Sequence, residues 1–301
     1  MQFKRLKFDV DGLLLIDKPL RLSSNQLVSK IKILFSAKKV GHTGTLDPMA
    51  TGLLPICLGE ATKFSSYLLN ADKTYEALIR LGYKSSTGDM EGEIIKQNID
   101  RMPSINEIKK VLQQFIGTIE QLPPMYSALK YQGKPLYLYA REGIDIPRSK
   151  RKINIYTIEL LDYEGDQLRI RIKCSKGTYI RTLAEDIGAQ LNVGAYLIGL
   201  RRTNIGNFSI KSALNIEKIE KTKGEERSQL LLLPEELLNK YEKIILSFNE
   251  ENAIKDGKII EQKRKIPGLY RLYGVNNNFI GLGEIDETKN LKAKRLKSLI
   301  N

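Results

Sequence analysis

Apolar and polar positions change period several times along the chain, and each change marks an element. Gly12 to Ile16 is a short apolar run closed by Asp17, Lys18 and Pro19, which predicts a buried strand ending in a turn. Ser23 and Ser24 offer helix caps. Beyond them Leu27, Ile31, Leu34 and Phe35 recur at i, i+4, i+7 and i+8, so a helix is expected from about Ser24 to Phe35. Neither period fits Gly41 to Pro55. That stretch, GHTGTLDPMATGLLP, is dense in Gly, Thr and Pro and reads as an ordered loop leading into a buried segment, a common seat for functional side chains.

Alternation returns at Tyr75, Ala77, Ile79 and Leu81, a half-buried strand that begins at Tyr75. Ser104 with Glu107 makes a capping box, which gives Glu107 a structural role. Leu168, Ile170, Ile172 and Cys174 alternate with Arg169, Arg171 and Lys173, so one strand face is apolar and the other positively charged. After Gly177, Ile180, Leu183, Ala184, Ile187 and Leu191 mark a helix with Arg181 in its first turn. A cation there opposes the helix dipole and calls for an anionic partner. Lys211 to Ser228 is rich in Lys and Glu and reads as a solvated helix or a connector rather than core, marking a candidate boundary. From about Leu246, short strand-like runs separated by Gly and Asn predict a small β-rich unit.

Composition narrows the chemistry. A single histidine, His42, and two separated cysteines, Cys57 and Cys174, do not supply a zinc set. No G-x-S-x-G, G-x-x-x-x-G-K-[ST] or G-x-G-x-x-G motif occurs. Carboxylate, tyrosine, lysine and arginine chemistry remains. No secretory segment or membrane-length apolar run is evident, which favours a reducing cytoplasm and no membrane partner. The 49 Lys and Arg against 35 Asp and Glu leave a net charge of +14, which favours a polyanionic partner, nucleic acid first. Tyr126, Tyr131, Tyr137 and Tyr139, interleaved with Lys130, Lys134 and Arg141, suit bases and phosphates together.

Asp47 has no lysine or arginine within three residues, so its charge partner must come from elsewhere in the chain. The segments around it are LLLIDKP, GHTGTLDPMATGLLPICLGEATKF, DKTYEALIRLG, PPMYSALKYQGKPLYLYAREG, CSKGTYIRTLAEDIG and YLIGLRRT. In this order they closely resemble the TruB family of bacterial tRNA pseudouridine synthases, and FIGLGEID resembles that family's C-terminal domain. The resemblance implies isomerisation of uridine to pseudouridine at position 55 in the T loop of tRNA, without metal or organic cofactor. By motif, Asp47 matches the catalytic carboxylate, Arg181 the arginine that pairs with it, and Tyr75 the active-site tyrosine that stacks on the base. Tyr179 and Leu200 match substrate contacts, His42 matches a contact to the RNA around the extruded nucleotide, and Lys18 is expected near the site as a further substrate contact.

Two departures stand out. Arg21 occupies a position where the family usually has Gly, and Ser86 one where it often has Asp; Asp89 is retained. The resulting expectation is an α+β fold with a mixed, largely antiparallel sheet. Residues 1–240 would form the catalytic domain, and 246–301 a small β-rich, PUA-like RNA-binding domain. The protein would act as a cytoplasmic monomer on the tRNA T arm. The alternatives are an RNA-binding or tRNA-folding protein without turnover, and a dyskerin-like synthase within a guide-RNA complex.

Overall fold

The computed structural model describes residues 7–262 and 266–298. Its larger sheet has nine strands. Seven lie in the order Gly12–Lys18, Ala50–Leu58, Ala195–Ile205, Lys73–Leu81, Gln167–Cys174, Arg151–Glu164 and Gly117–Gln121, with Val40–His42 and Phe208–Ser209 paired at its sides. Every pairing is antiparallel except the one that sets Leu200, Arg201 and Arg202 beside Ala50, Thr51 and Gly52. The expected mixed, largely antiparallel sheet is present. Gly52 is required at this crossing, because it adopts φ +106° and a Cβ would collide with the Arg202 backbone.

Alternation explains which face is covered. Tyr75, Ala77, Ile79 and Leu81 point into one cluster with Leu27 and Ile31 of the Ser24–Leu34 helix, Ile108 and Leu112 of Ile105–Gln114, and Leu183 and Ile187 of Ile180–Gln190. The Gly12–Lys18 strand is apolar without alternation because both its faces are buried. Leu14 and Ile16 join this cluster, whereas Leu13 and Leu15 join a second one with Phe64, Leu237 and Leu238.

The second cluster also takes in Tyr273, Phe279 and Leu282 from a five-stranded sheet. That sheet runs in the order Lys243–Ile245, Gly268–Tyr273, Phe279–Ile285, Asn290–Leu296 and Ile260–Glu261, and it is the expected β-rich C-terminal domain. Lys263, Arg264 and Lys265, which contribute to the basic tail, lie outside the described residues.

Two expectations change. Lys211 to Ser228 contains a helix, Ile216–Lys221, but it is not separate from the core. Leu214 exchanges backbone hydrogen bonds with the Gly12–Lys18 strand, and Ile219 of the Ile216–Lys221 helix is fully buried. A few apolar side chains on one face seat the segment along the sheet edge despite its charge. The positive face of Gln167–Cys174 is in large part neutralised, since Arg169 and Arg171 both reach Glu76 and Arg171 also reaches Glu159.

Arg21 adopts φ +65°, a left-handed conformation in which a Cβ is strained. Its amide still donates to Pro48 O at 2.9 Å, so the turn after Pro19 is tied to the residue following Asp47. Replacing Arg21 with Gly is expected to raise unfolding stability by about 0.5–1 kcal/mol in chemical denaturation, strain relief outweighing the added freedom of the unfolded chain. A loss of stability would contradict the strain.

Candidate active site

The Asp47 loop is held on both sides. Ser24, buried at the start of its helix, accepts from Leu46 N at 2.8 Å and donates to Leu46 O at 2.9 Å. Pro48 O accepts from Arg21 N and from Lys18 Nζ, the latter at 3.4 Å. Asp47 O itself accepts from Ala50 N, closing the turn into the Ala50–Leu58 strand. With its neighbours fixed, the Asp47 carboxylate has little freedom, the condition for a preorganised charge.

Arg181 meets it from the opposite side. Its Nε lies 3.1 Å from Asp47 Oδ2 and its Nη1 3.3 Å from Asp89 Oδ2. Nη1 also donates to Thr87 O at 3.2 Å and Nη2 to Tyr126 O at 2.6 Å. Two carboxylates and two carbonyls thus offset the cost of a buried cation in the first turn of a helix. Burial pushes the Asp47 carboxyl above its usual range, while Arg181 and then Lys18 pull it back toward ionisation.

A cleft of about 710 Å³ opens over this pair. It brings together Asp47, Tyr75, Tyr179, Arg181 and Leu200, five of the seven residues singled out in the sequence. Lys73, Arg151, Lys152, Lys176, Arg181 and Arg202 supply six cations to its lining, against Asp47 as the one carboxylate. A cleft of about 820 Å³ on the far side of Leu200 is lined by Glu76, Asp166, Arg169 and Arg201. Those groups are engaged in ion pairs, with Arg201 bidentate on Asp17.

The other two sequence candidates stand outside the cleft lining. Lys18 is fully buried beneath the loop, donating to Pro19 O, Leu22 O and Pro48 O, and burial lowers its pKa to about 8. Its ammonium braces the loop, which corrects the expectation of a substrate contact. His42 accepts from Gly44 N at 3.2 Å, and burial together with Arg202 lowers its pKa, so the ring is neutral at pH 7.

Sequence reading passed over several contributors. Arg202 is 1% exposed, donates to Leu53 O and Gly44 O, and stands beside the buried Tyr75 phenol, whose pKa burial raises. Lys73 donates to Leu69 O and Ala71 O at the cleft wall, with its pKa lowered to about 8 by burial and by Arg202. Both lie inside recognised segments, but only strand register reveals that they point inward. Asp89, noted in the sequence only as retained, is 3% exposed and shares Arg181 with Asp47.

Glu185 lies one helical turn beyond Arg181, and its carboxyl atoms sit 3.1 to 3.2 Å from where a Cβ on Gly88 would be. Burial and the nearby Asp186 raise its pKa to about 7. Because the folded state holds a proton that the unfolded chain releases above about 4.3, this group's contribution is full at low pH and is lost as pH rises toward and through 7. Glu185→Gln is therefore expected to raise the thermal midpoint at pH 8 and to change it little at pH 4. An equal shift at both pH values would contradict the assignment.

Comparison with known proteins places the chain in a family. Residues 32–180 match the model of the TruB family pseudouridylate synthase N-terminal domain. Residues 181–242 match the tRNA pseudouridylate synthase B C-terminal domain, and 243–296 the pseudouridine synthase II TruB C-terminal model. The chain is 48% identical over 297 residues to a tRNA pseudouridine synthase B of Methylobacillus flagellatus, covering 98% of each chain. It is 47% identical over 299 residues to one of Aromatoleum aromaticum, covering 99% of this chain and 96% of that one. Among solved structures, a chain of a Cbf5-Nop10-Gar1 complex is similar with a TM-score of 0.71 and 25% identity, over 95% of this chain and 84% of that one. A cationic cleft with Asp47 paired to a buried arginine, on a sheet of this topology, thus coincides with family matches spanning nearly the whole sequence, and the chain belongs to the TruB family of pseudouridylate synthases.

Proposed function

We propose that the protein isomerises uridine to pseudouridine at position 55 in the T loop of tRNA, with Asp47 as the carboxylate acting on a nucleotide drawn out of its stack. The observation that carries this reading is a lone cleft carboxylate, paired with Arg181 and flanked by Tyr75 and Tyr179, among six cations. The cations suit the phosphates around an extruded nucleotide, and the tyrosines suit its exposed base. The N1–C1′ bond breaks, the base turns, C5 bonds to C1′, and the proton lost from C5 is matched by one taken up at N1. Atoms balance within the substrate, so no oxidant, reductant or second substrate is needed. Asp47 either attacks covalently or assists departure of the base through its charge. In both routes Arg181 serves by keeping it ionised.

The segment after Tyr126 supports an RNA contact beside the cleft. Lys134 lies 4.5 Å from the Tyr139 ring centroid and Arg141 5.5 Å from that of Tyr137. The sheet beginning at Lys243 would extend the contact as a PUA-like RNA-binding domain, with the protein acting as a cytoplasmic monomer. Identity of 48% to a tRNA pseudouridine synthase B, against 25% to a chain of the Cbf5-Nop10-Gar1 complex, supports a stand-alone enzyme over one working inside such a complex.

An isolated T-arm hairpin tests the target. Mapping the product by position should place pseudouridine at one T-loop uridine, with none in an anticodon-arm hairpin of the same tRNA. Conversion of the anticodon arm, or of neither hairpin, would overturn the T-loop assignment.

A further inference from the structure

The helix that carries Arg181 begins at Ile180 with Tyr179 as its N-cap residue, and no side chain of its own segment caps it. Uncapped amides at a helix start need partners, and here one comes from a distant strand. Gln121, the last residue of Gly117–Gln121, is 2% exposed. Its Oε1 accepts from Tyr179 N at 2.7 Å and its Nε2 donates to Tyr179 O at 3.0 Å. Both ends of one buried amide are thus spent on the backbone of one residue, which fixes that residue in position and orientation.

Tyr179 and Arg181 both line the cleft, and they are two residues apart. The chain leaving Gln121 passes through Pro123 and Pro124, whose rings restrict the backbone, and then gives Tyr126 O to Arg181 Nη2 at 2.6 Å. A single short segment therefore grips the catalytic arginine twice, through the helix start and through the guanidinium. We infer that Gln121 is a positioning residue for the isomerisation, setting the helix start so that Arg181 Nε meets Asp47. It touches neither Asp47 nor the cleft surface and acts only through Tyr179 and Arg181. The inference rests on Asp47 and Arg181 being the reacting pair.

Substitution at Gln121 separates positioning from plain structural support. Gln121→Leu removes both hydrogen bonds, and a misplaced arginine is expected to lower kcat about 10- to 100-fold while KM stays within about threefold. Its acid limb should also move to higher pH, because Asp47 loses part of the interaction that keeps it ionised. Gln121→Glu supplies the informative contrast. A protonated carboxyl reproduces both bonds, accepting from Tyr179 N and donating to Tyr179 O. An ionised one loses the donor and faces the carbonyl.

That variant should therefore approach wild-type kcat at low pH and fall away as pH rises, opposite to the limb set by Asp47. Rates are compared, well below each thermal midpoint, at the uridine of an unmodified tRNA transcript that the wild type converts. A target outside the T loop would then correct the position and leave the test of Gln121 intact. A lowered thermal midpoint with wild-type kcat and pH profile in both variants would reduce Gln121 to a structural residue and overturn the inference.

Discussion

Asp47→Asn is expected to lower pseudouridine formation by about four orders of magnitude or more while leaving tRNA affinity within about twofold. The amide keeps the volume of the carboxylate and still sits between Leu46 and Pro48, whose contacts hold the loop without help from the side chain. What disappears is the negative charge, which in the proposed mechanism acts either as nucleophile or as electrostatic partner of the reacting sugar. In the proposed complex, affinity depends instead on phosphate contacts from the cleft's cations, which the substitution does not remove. Single-turnover conversion and equilibrium binding on the same transcript separate the two effects. Turnover within tenfold of wild type would refute the role of Asp47, and a large loss of binding would show that the variant had disturbed more than charge.

Arg181→Met is expected to be costly in two ways. The guanidinium is 6% exposed and pairs with both Asp47, 39% exposed, and Asp89, 4% exposed. Removing it leaves the charges of Asp47 and Asp89 opposed by weaker influences such as Lys18, and it orphans Thr87 O and Tyr126 O. Breaking a buried pair of this kind costs about 3–5 kcal/mol of stability. The chemical consequence follows from the same loss. Burial already raises the Asp47 pKa, and Arg181 is the largest influence lowering it. Without that influence more of the carboxyl is protonated at neutral pH, so residual activity should climb with pH over a range where wild-type activity is flat. Denaturant titration and a pH–rate profile test both effects, and a variant with wild-type stability and an unshifted profile would contradict the pairing.

Much of this was legible in the sequence because its signals were local. Alternation at Tyr75 to Leu81 gave a strand, the i, i+4 spacing at Leu27 and Ile31 gave a helix, and Ser104 with Glu107 forms the capping box expected of it. The conflict of Arg181 with its helix dipole pointed to an anionic partner, and the structure supplies two. Arg21 was recognised as an unusual occupant of a turn, and its φ of +65° is the reason.

What escaped the sequence depends on register and burial across distant segments. Arg201 and Arg202 are neighbours, yet one meets Asp17 at the surface and the other is sealed beside Tyr75, because successive residues of a strand face opposite ways. Lys18 looked available for substrate beside the site, but three carbonyls enclose its ammonium. Gln121 gave no signal, since its partner lies 58 residues away. The Lys and Glu run after Lys211 concealed two buried isoleucines, Ile216 and Ile219, that are enough to dock it.

Site-resolved pseudouridine detection on an unmodified tRNA transcript, with wild type and Asp47→Asn compared at equal bound fraction, tests the central claim most directly. The account predicts pseudouridine at a single T-loop uridine with wild type and none with the variant. Conversion by both proteins, or binding without conversion by either, would contradict it.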